Sequence, residues 1–439
     1  MKKYTYILSL LTAFMCTVTV ASQTNADGFD YENERSLREN PVIEGTDDEI
    51  DIMVPSYINS DANRIIMNNA DWSGIRQRLR DADRTPFSIV HIGDSHIQAD
   101  IATGQTREFL QYDLGNAGRG LVIPFKMSGT NEPCDYSITS RKPWSSVKLM
   151  GQNWKRTMGF TGASVSPGTA MSEITVSTDD KDDYNPFSAL TIFHKGQFFV
   201  TGVTDARGTL LPFTATPSED YTHIELVNDV TSVNVLFESA GDLTLFGVNL
   251  SGNRPGVFYH TIGNNGATYE TYNRIGNVGE GIMPLNPSLV IISLGANEAF
   301  GRFNEFLFEK SMDKLVTNIR KANPGAEILL VTPAECQRIK YTTVSSRRKK
   351  GRKRRATRRA GSYAVNANIL PIRNAILNYG KEHDIAVYDW YDVAGGAGSS
   401  SKWTSDGLLG KDRVHLTYKG YHLQGYLIYQ VIKDTLYNN

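Results

Sequence analysis

The stretch HIGDSHIQAD, residues His91 to Asp100, decides how the chain is read. Pro86 introduces the run Phe87-Ser-Ile-Val-His-Ile92 just before it, short and continuous enough to suit a buried strand. The run stops on Gly93-Asp94-Ser95-His96. A serine at the end of a buried strand is a turn former or a nucleophile. The second reading requires the rest of the chain to supply a base, an orienting acid and donors for an oxyanion.

Outward from this point, apolar runs and helical patterns alternate. Upstream, Ala62 to Asp83 reads as a helix with Ile65, Ile66, Ile75 and Leu79 at its apolar positions. Downstream, Val257-Phe-Tyr-His260, Leu289-Val-Ile-Ile-Ser293, Ile328-Leu-Leu-Val331 and Ile385-Ala-Val-Tyr388 read as strands. Between them, Phe308, Met312, Leu315, Val316 and Ile319 keep helical spacing up to Pro324-Gly325, and a second helix covers about Val365 to Lys381. Thr417 stands where it would cap a last helix carrying Leu423, Leu427 and Val431. Apolar strands separated by helices predict an α/β fold, a sheet of about five parallel strands covered on both faces.

Residues 124–250 have another character, rich in Thr, Ser, Val, Phe and Gly with frequent turn signals. Thr231 to Phe237 alternates, Ala240-Gly-Asp242 turns, and Leu243 to Phe246 alternates again, which predicts a hairpin. This reads as an inserted all-β, sandwich-like domain. Its aromatics Trp144, Trp154, Tyr184, Phe187 and Tyr221 are candidates for stacking on sugars, with the core as the expected place of most. The expected organisation is a signal peptide over 1–26, an arm or linker over 27–60, an α/β domain over 61–123 and 251–439, and the β insert between its halves.

The bulk numbers select no special partner. The 439 residues carry 46 basic and 47 acidic side chains, for a formal net charge of -1. Ten of the basic residues fall in Arg347 to Arg359, RRKKGRKRRATRR, within an expected basic loop over 342–362. The rest is mildly acidic, and the loop is a candidate grip on an anionic polymer rather than on nucleic acid. Lys2 and Lys3, an apolar run to about Val20, and small residues at Ala21, Ser22 and Ala26 have the order of a secretory signal. This predicts export to the periplasm or the exterior, with no membrane span after cleavage. Cys134 and Cys336 do not make a disulfide framework, and no motif suggests a metal or cofactor site.

Sites in open parallel sheets form at the carboxyl ends of the strands. Four polar clusters fall there: Gly93-Asp94-Ser95-His96, Gly263-Asn-Asn-Gly266-Ala267, Gly295-Ala-Asn297-Glu298 and, before the last helix, Asp412-Arg-Val-His415. Serine needs a base within reach, and His415 is the candidate. Asp412, three residues earlier, can hold the imidazole in the right tautomer. The backbone N–H groups of Ser95 and Gly266 and the side-chain amide of Asn297 can meet the charge that grows on an attacked carbonyl oxygen. Gly263 competes with Gly266 for that role. His96 is a candidate substrate contact, His91 a core histidine, and Asp94 a brace of the nucleophile turn.

In this order the four clusters resemble the SGNH branch of the GDSL hydrolase superfamily, through Ser95, Gly266, Asn297 and His415 with Asp412. The resemblance implies a three-layer α/β/α fold, a serine triad and no metal. A GxSxG elbow is absent, since Ile97 stands where its second glycine belongs. GDSH with an inserted β domain is similar, more narrowly, to bacterial peptidoglycan O-acetylesterases, whose insert resembles a carbohydrate-binding module. Glu298 departs from the Asp common in the wider family. The expectation is an exported serine esterase that removes acetyl groups from a polysaccharide through an acyl-enzyme on Ser95. The alternatives are an O-acyltransferase, a lipase or thioesterase, and a non-catalytic glycan-binding protein.

Overall fold

The structure, a computed structural model, describes residues 38–39, 41–45, 52–178, 185–345 and 357–437. The expected signal segment, most of the arm before residue 52, Tyr184 and the centre of the basic run lie outside the described residues.

Six strands build the central sheet: β1 (Ile65–Ile66), β2 (Phe87–Gly93), β3 (Val257–Gly263), β4 (Leu289–Ser293), β5 (Glu327–Val331) and β6 (Ala386–Tyr388). Their spatial order is β1-β6-β5-β4-β2-β3. The five longer-range partners run parallel, as expected, and β1 adds an antiparallel edge to β6. Ile65 and Ile66 therefore belong to a strand, and the helix expected over 62–83 shrinks to Ser73–Arg80. Two adjacent apolar β-branched residues suit a sheet edge better than a helix that begins only after Trp72. The sequence reading had also passed over the helix Ile101–Leu114, whose buried face is largely polar: Thr103, Gln105, Thr106, Arg107 and Gln111.

Alternate residues of the central strands feed different cores. Val90 and Ile92 pack with Met312, Leu315, Ile372 and Ile376 from the helices Glu305–Ala322 and Ile369–Glu382. Phe87 and Ile89 pack with Leu79, Leu110, Leu423 and Leu427, from helices that include Tyr418–Leu436. Period-two alternation thus satisfies both faces at once. Thr417 does cap the last helix, accepting from Gly420 N at 3.2 Å.

Between residues 120 and 251 the described elements are all strands, in two antiparallel sheets. One runs in the order 213–217, 221–230, 187–195, 244–251, 163–167, 144–148, with 120–122 also pairing to 244–251. The other runs 136–139, 171–178, 232–239, 198–204. They share a core that holds Val176, Phe187, Leu190, Val233, Val235, Phe237 and Leu250. The hairpin expected around Ala240-Gly-Asp242 does not exist. Ser232–Ser239 pairs with 171–178 and 198–204, whereas Thr244–Ser251 pairs with 187–195. The turn carries the chain from one sheet to the other, a corner that a local alternation pattern does not distinguish from a hairpin. Among the aromatics, Phe187 is core, Trp144 packs edge-on to Phe237, and Tyr221 packs against Phe193.

The basic loop expected over 342–362 is also reassigned in part. Gln337–Ser345 and Thr357–Val365 pair as an antiparallel hairpin that flanks residues 346–356. No disulfide joins Cys134, which is exposed, to Cys336, which is buried. Among the described residues no helix is long and apolar enough to cross a membrane.

A buried ionic cluster fixes the first antiparallel strands to the body of the chain. Asp100 accepts from Arg107 at 2.8 Å and Arg119 at 2.5 Å, and both arginines reach Asp135. Burial alone would raise the Asp100 carboxyl, but the two guanidinium groups hold it below the usual range. Removing one member would leave a buried charge uncompensated, at a cost of about 3–5 kcal/mol.

Candidate active site

Strand β2 ends at Gly93 because the chain needs a residue without a side chain there. A Cβ would stand 2.3 Å from Ile97 Cγ1 and 2.9 Å from Ser293 O. Asp94 then caps the short helix Ser95–Gln98, its Oδ1 accepting from His96 N at 3.0 Å. Ser95 is thereby the first residue of a helix, and its N–H has no intrahelical acceptor.

The hydroxyl of Ser95 lies 2.7 Å from His415 Nε2, and His415 Nδ1 lies 2.6 Å from Asp412 Oδ2. The loop that presents this pair is closed on itself. Asp412 Oδ1 accepts from the N–H groups of Val414 (2.9 Å) and His415 (3.0 Å), and Gly410 N donates to His415 O at 2.8 Å. Burial would raise the Asp412 carboxyl; the bond from His415, its charge and the two backbone donors outweigh that and lower it. The hairpin braces the loop from outside: Gln337 N donates to Arg413 O at 3.0 Å, Tyr363 OH to Lys411 O at 2.7 Å, and Arg413 lies over the Tyr363 ring. No composition signal marked these flanks as part of the site's frame.

The two glycine candidates separate cleanly. Gly266 is the third residue of a turn closed by Ala267 N donating to Asn264 O at 3.0 Å, and its φ is +78°. Glycine suits that position of a type II turn. Gly263 ends β3 in register with Gly93, and a Cβ there would collide with Gln98 N at 2.1 Å. Its small size serves packing against the helix Ser95–Gln98. Asn297 Nδ2 donates to Asp94 Oδ2 (3.1 Å) and to Ala267 O (3.0 Å), so its amide links the Ser95 turn to the Gly266 turn. Glu298 accepts from Tyr269 N at 2.9 Å, and burial pushes its carboxyl up to about 7.

Asp94 is buried, which pushes its carboxyl up to about 6 against the opposing pull of the His96 N–H. His96 stacks 5.1 Å from the His415 ring and meets Tyr421 OH at 3.1 Å through Nδ1. Burial, then the neighbouring His415, brings its pKa down to about 3, which keeps it neutral. His91 bridges Tyr259 OH (2.8 Å) and Ser293 Oγ (2.6 Å) inside the sheet, a satisfied core histidine.

Sequence reasoning missed two further contributors. Gln98, three residues beyond Ser95, accepts from Asn265 N at 2.7 Å and so holds the Gly266 turn. Residues 38–39 and 41–45 run along the site's rim. Arg38 donates to Asn297 O at 2.9 Å and covers the Phe300 ring, and Asn265 Nδ2 donates to Glu39 O at 3.2 Å. At the other end, Tyr418 N and Lys411 N donate to Glu44. Their sequence is polar and aperiodic, which gave no signal beyond a tether.

Ser95, His415 and Asp412 thus stand in line at hydrogen-bond distances, the arrangement of a serine triad. A family model described as the GDSL-like lipase/acylhydrolase family matches residues 244–423. That segment holds Gly266, Asn297, Asp412 and His415 and begins at Thr244–Ser251, the last strand of the two antiparallel sheets, so that it leaves out Ser95. No curated protein matches the chain. Among solved structures, one described as a peptidoglycan O-acetylesterase aligns over 84% of this chain and 97% of its own, at 19% identity and a TM-score of 0.66. It shares the fold. A lipase/acylhydrolase from Enterococcus faecalis (21% identity, 41% of this chain, 77% of its own, TM-score 0.29) also aligns. So does a catalytic mutant of an acetylxylan esterase from Geobacillus stearothermophilus (14%, 42%, 73%, 0.27).

Proposed function

We propose that the protein is an exported serine esterase that removes O-acetyl groups from a polysaccharide, most plainly peptidoglycan. The observation that carries this reading is the continuous line from Ser95 Oγ through His415 to Asp412, at 2.7 and 2.6 Å. In it His415 takes the Ser95 proton as the hydroxyl attacks the acetyl carbonyl. Asp412 holds the imidazole and stabilises its charged form. The oxygen that becomes negative is met by the N–H groups of Ser95 and Gly266 and by an Asn297 hydrogen drawn from its resting partners. His415 returns the proton to the departing sugar oxygen. Water, activated by the same histidine, then releases acetate.

The substrate class rests on the fold likeness over nearly the whole length of the O-acetylesterase structure. In this reading the chain is a three-layer α/β/α hydrolase interrupted by a β-sandwich that engages glycan, and the basic run Arg347 to Arg359 adds a grip on anionic polymer. The test is acetate release from O-acetylated peptidoglycan set against acetylated xylan, with the native chain and Ser95→Ala in parallel. Release from peptidoglycan that vanishes in the variant is the expected result. Equal release by the variant would refute the serine mechanism, and a newly acetylated acceptor in place of free acetate would mark a transferase.

A further inference from the structure

Beside the Gly266 turn lies a cavity of about 240 Å³ between the nucleophile helix and the segment Lys148–Gly151. Its lining combines two chemistries. A hydrogen-bonded set of neutral groups is present: Gln98 Nε2 donates to Thr130 Oγ1 (2.9 Å), and Asn265 Nδ2 to Asn131 Oδ1 (2.6 Å). Phe125 and Met150 supply apolar surface. The rim carries one cation and one anion, Lys148 and Glu39.

The outer wall is held in place. Arg274 donates to Leu149 O (3.3 Å) and Gly151 O (2.7 Å), and lies over the Trp154 ring, whose indole N–H donates to Lys148 O at 3.0 Å. The cavity is thus formed in advance of any ligand, a condition that lowers the cost of binding. Its position is tied to the chemistry through two residues. Asn265 precedes Gly266 in the turn, and Gln98 ends the helix that Ser95 begins.

Neutral amide and hydroxyl groups together with apolar side chains, and one cation balanced by one anion, match a ring with hydroxyls at its edge and C–H groups on its face. A volume below the roughly 300–1,000 Å³ of pockets that take drug-sized ligands limits the occupant to one ring. We infer that this cavity is a subsite for one neutral pyranose ring of the substrate, the neighbour of the ring that carries the ester. The inference rests on the esterase reading for its meaning, and its test does not.

The probe is a β-1,4-linked N-acetylglucosamine tetrasaccharide, which has no ester, titrated calorimetrically into the full chain carrying Ser95→Ala. Lys148→Ala and Met150→Trp are added separately to that background, the first at an exposed position that endangers no core, the second to fill the cavity. Binding by the background and a roughly tenfold or greater loss of affinity in each variant is the expected outcome. Equal affinity in all three proteins, or no binding by the background, overturns the subsite. Because neither probe nor protein supports turnover, a failure here is separable from a failure to release acetate.

Discussion

The side-chain amide of Asn297 is fixed by Asp94: Nδ2 donates to the Asp94 carboxylate at 3.1 Å while its second hydrogen goes to Ala267 O at 3.0 Å. In the proposed mechanism this donor stands between the two turns that carry the Ser95 and Gly266 N–H groups, and Asp94 acts through it. Asn297→Ala should lower kcat by about 10² to 10³, as loss of one oxyanion donor does. Asp94→Asn removes the carboxylate that orients the amide and caps His96 N, and should lower kcat by roughly tenfold to a hundredfold. In both variants KM should change far less than kcat, since an oxyanion forms only after attack. Steady-state kinetics on an acetylated glycan separates the two constants; a change confined to KM would remove Asn297 from the oxyanion role.

The second relationship to test is the closed loop around Asp412. Its Oδ1 serves two backbone amides and its Oδ2 serves His415, so Asp412→Asn alters the imidazole tautomer more than the loop. A loss of about 10⁴ in kcat is expected, with thermal stability nearly kept. Ser95→Ala should cost on the order of 10³ to 10⁶. A variant at residue 412 that unfolds rather than slows would show the aspartate to be structural first.

The sheet was legible because its strands are continuous apolar runs, and the site because Ser95, Gly266, Asn297 and His415 each follow such a run or precede the last helix. Period and position carried that information locally. What escaped depended on partners distant in sequence. Ser232–Ser239 and Thr244–Ser251 alternate as hairpin strands do, and only pairing with 171–178 and 187–195 assigns them to different sheets. Ile101–Leu114 was missed because it buries Arg107, Thr106 and Gln111, whose distant partners Asp135, Gly425 O and Val257 O make burial tolerable. Gln98 and the arm residues carry no motif, and act through backbone groups of Asn265 and Asn297.

Buried histidines predict how stability follows pH. Burial brings His91 and His260 down to about 3, and His96 likewise with help from His415. Each binds a proton in the unfolded chain below about 6.5 and none in the folded chain until about 3. Folding stability contributed by these groups is therefore present above 6.5 and is lost as pH falls toward 3. Asp94, raised to about 6, acts oppositely between its unfolded value and 6, and offsets one of the three. His91→Gln should flatten the slope of unfolding free energy against pH between 4.5 and 6 by about 1.4 kcal/mol per unit, one proton's worth. Denaturant titrations across that interval measure it; an unchanged slope would mean that His91 is protonated in the fold.

Access to the nucleophile gives the last expectation. Ser95 is 2% exposed and His415 1%. The arm residues meet Asn297 and Asn265 at one end and Lys411 and Tyr418 at the other, so the described arm contacts both segments that flank the Ser95–His415 pair. Two side chains contribute at these points: Arg38, on the Asn297 carbonyl and over the Phe300 ring, and Glu44, whose carboxyl accepts from Lys411 N and pairs with the exposed Lys411 ammonium, a pair of the kind that contributes little. Arg38→Ala combined with Glu44→Ala should release the arm without touching the triad. The rate at which a small serine-directed phosphonate inactivates the protein should then rise by roughly threefold to tenfold, the equivalent of about one ordinary hydrogen bond. The same rate in both proteins would mean that the arm already yields to a small reagent, and that the burial of Ser95 is set by the turns around it.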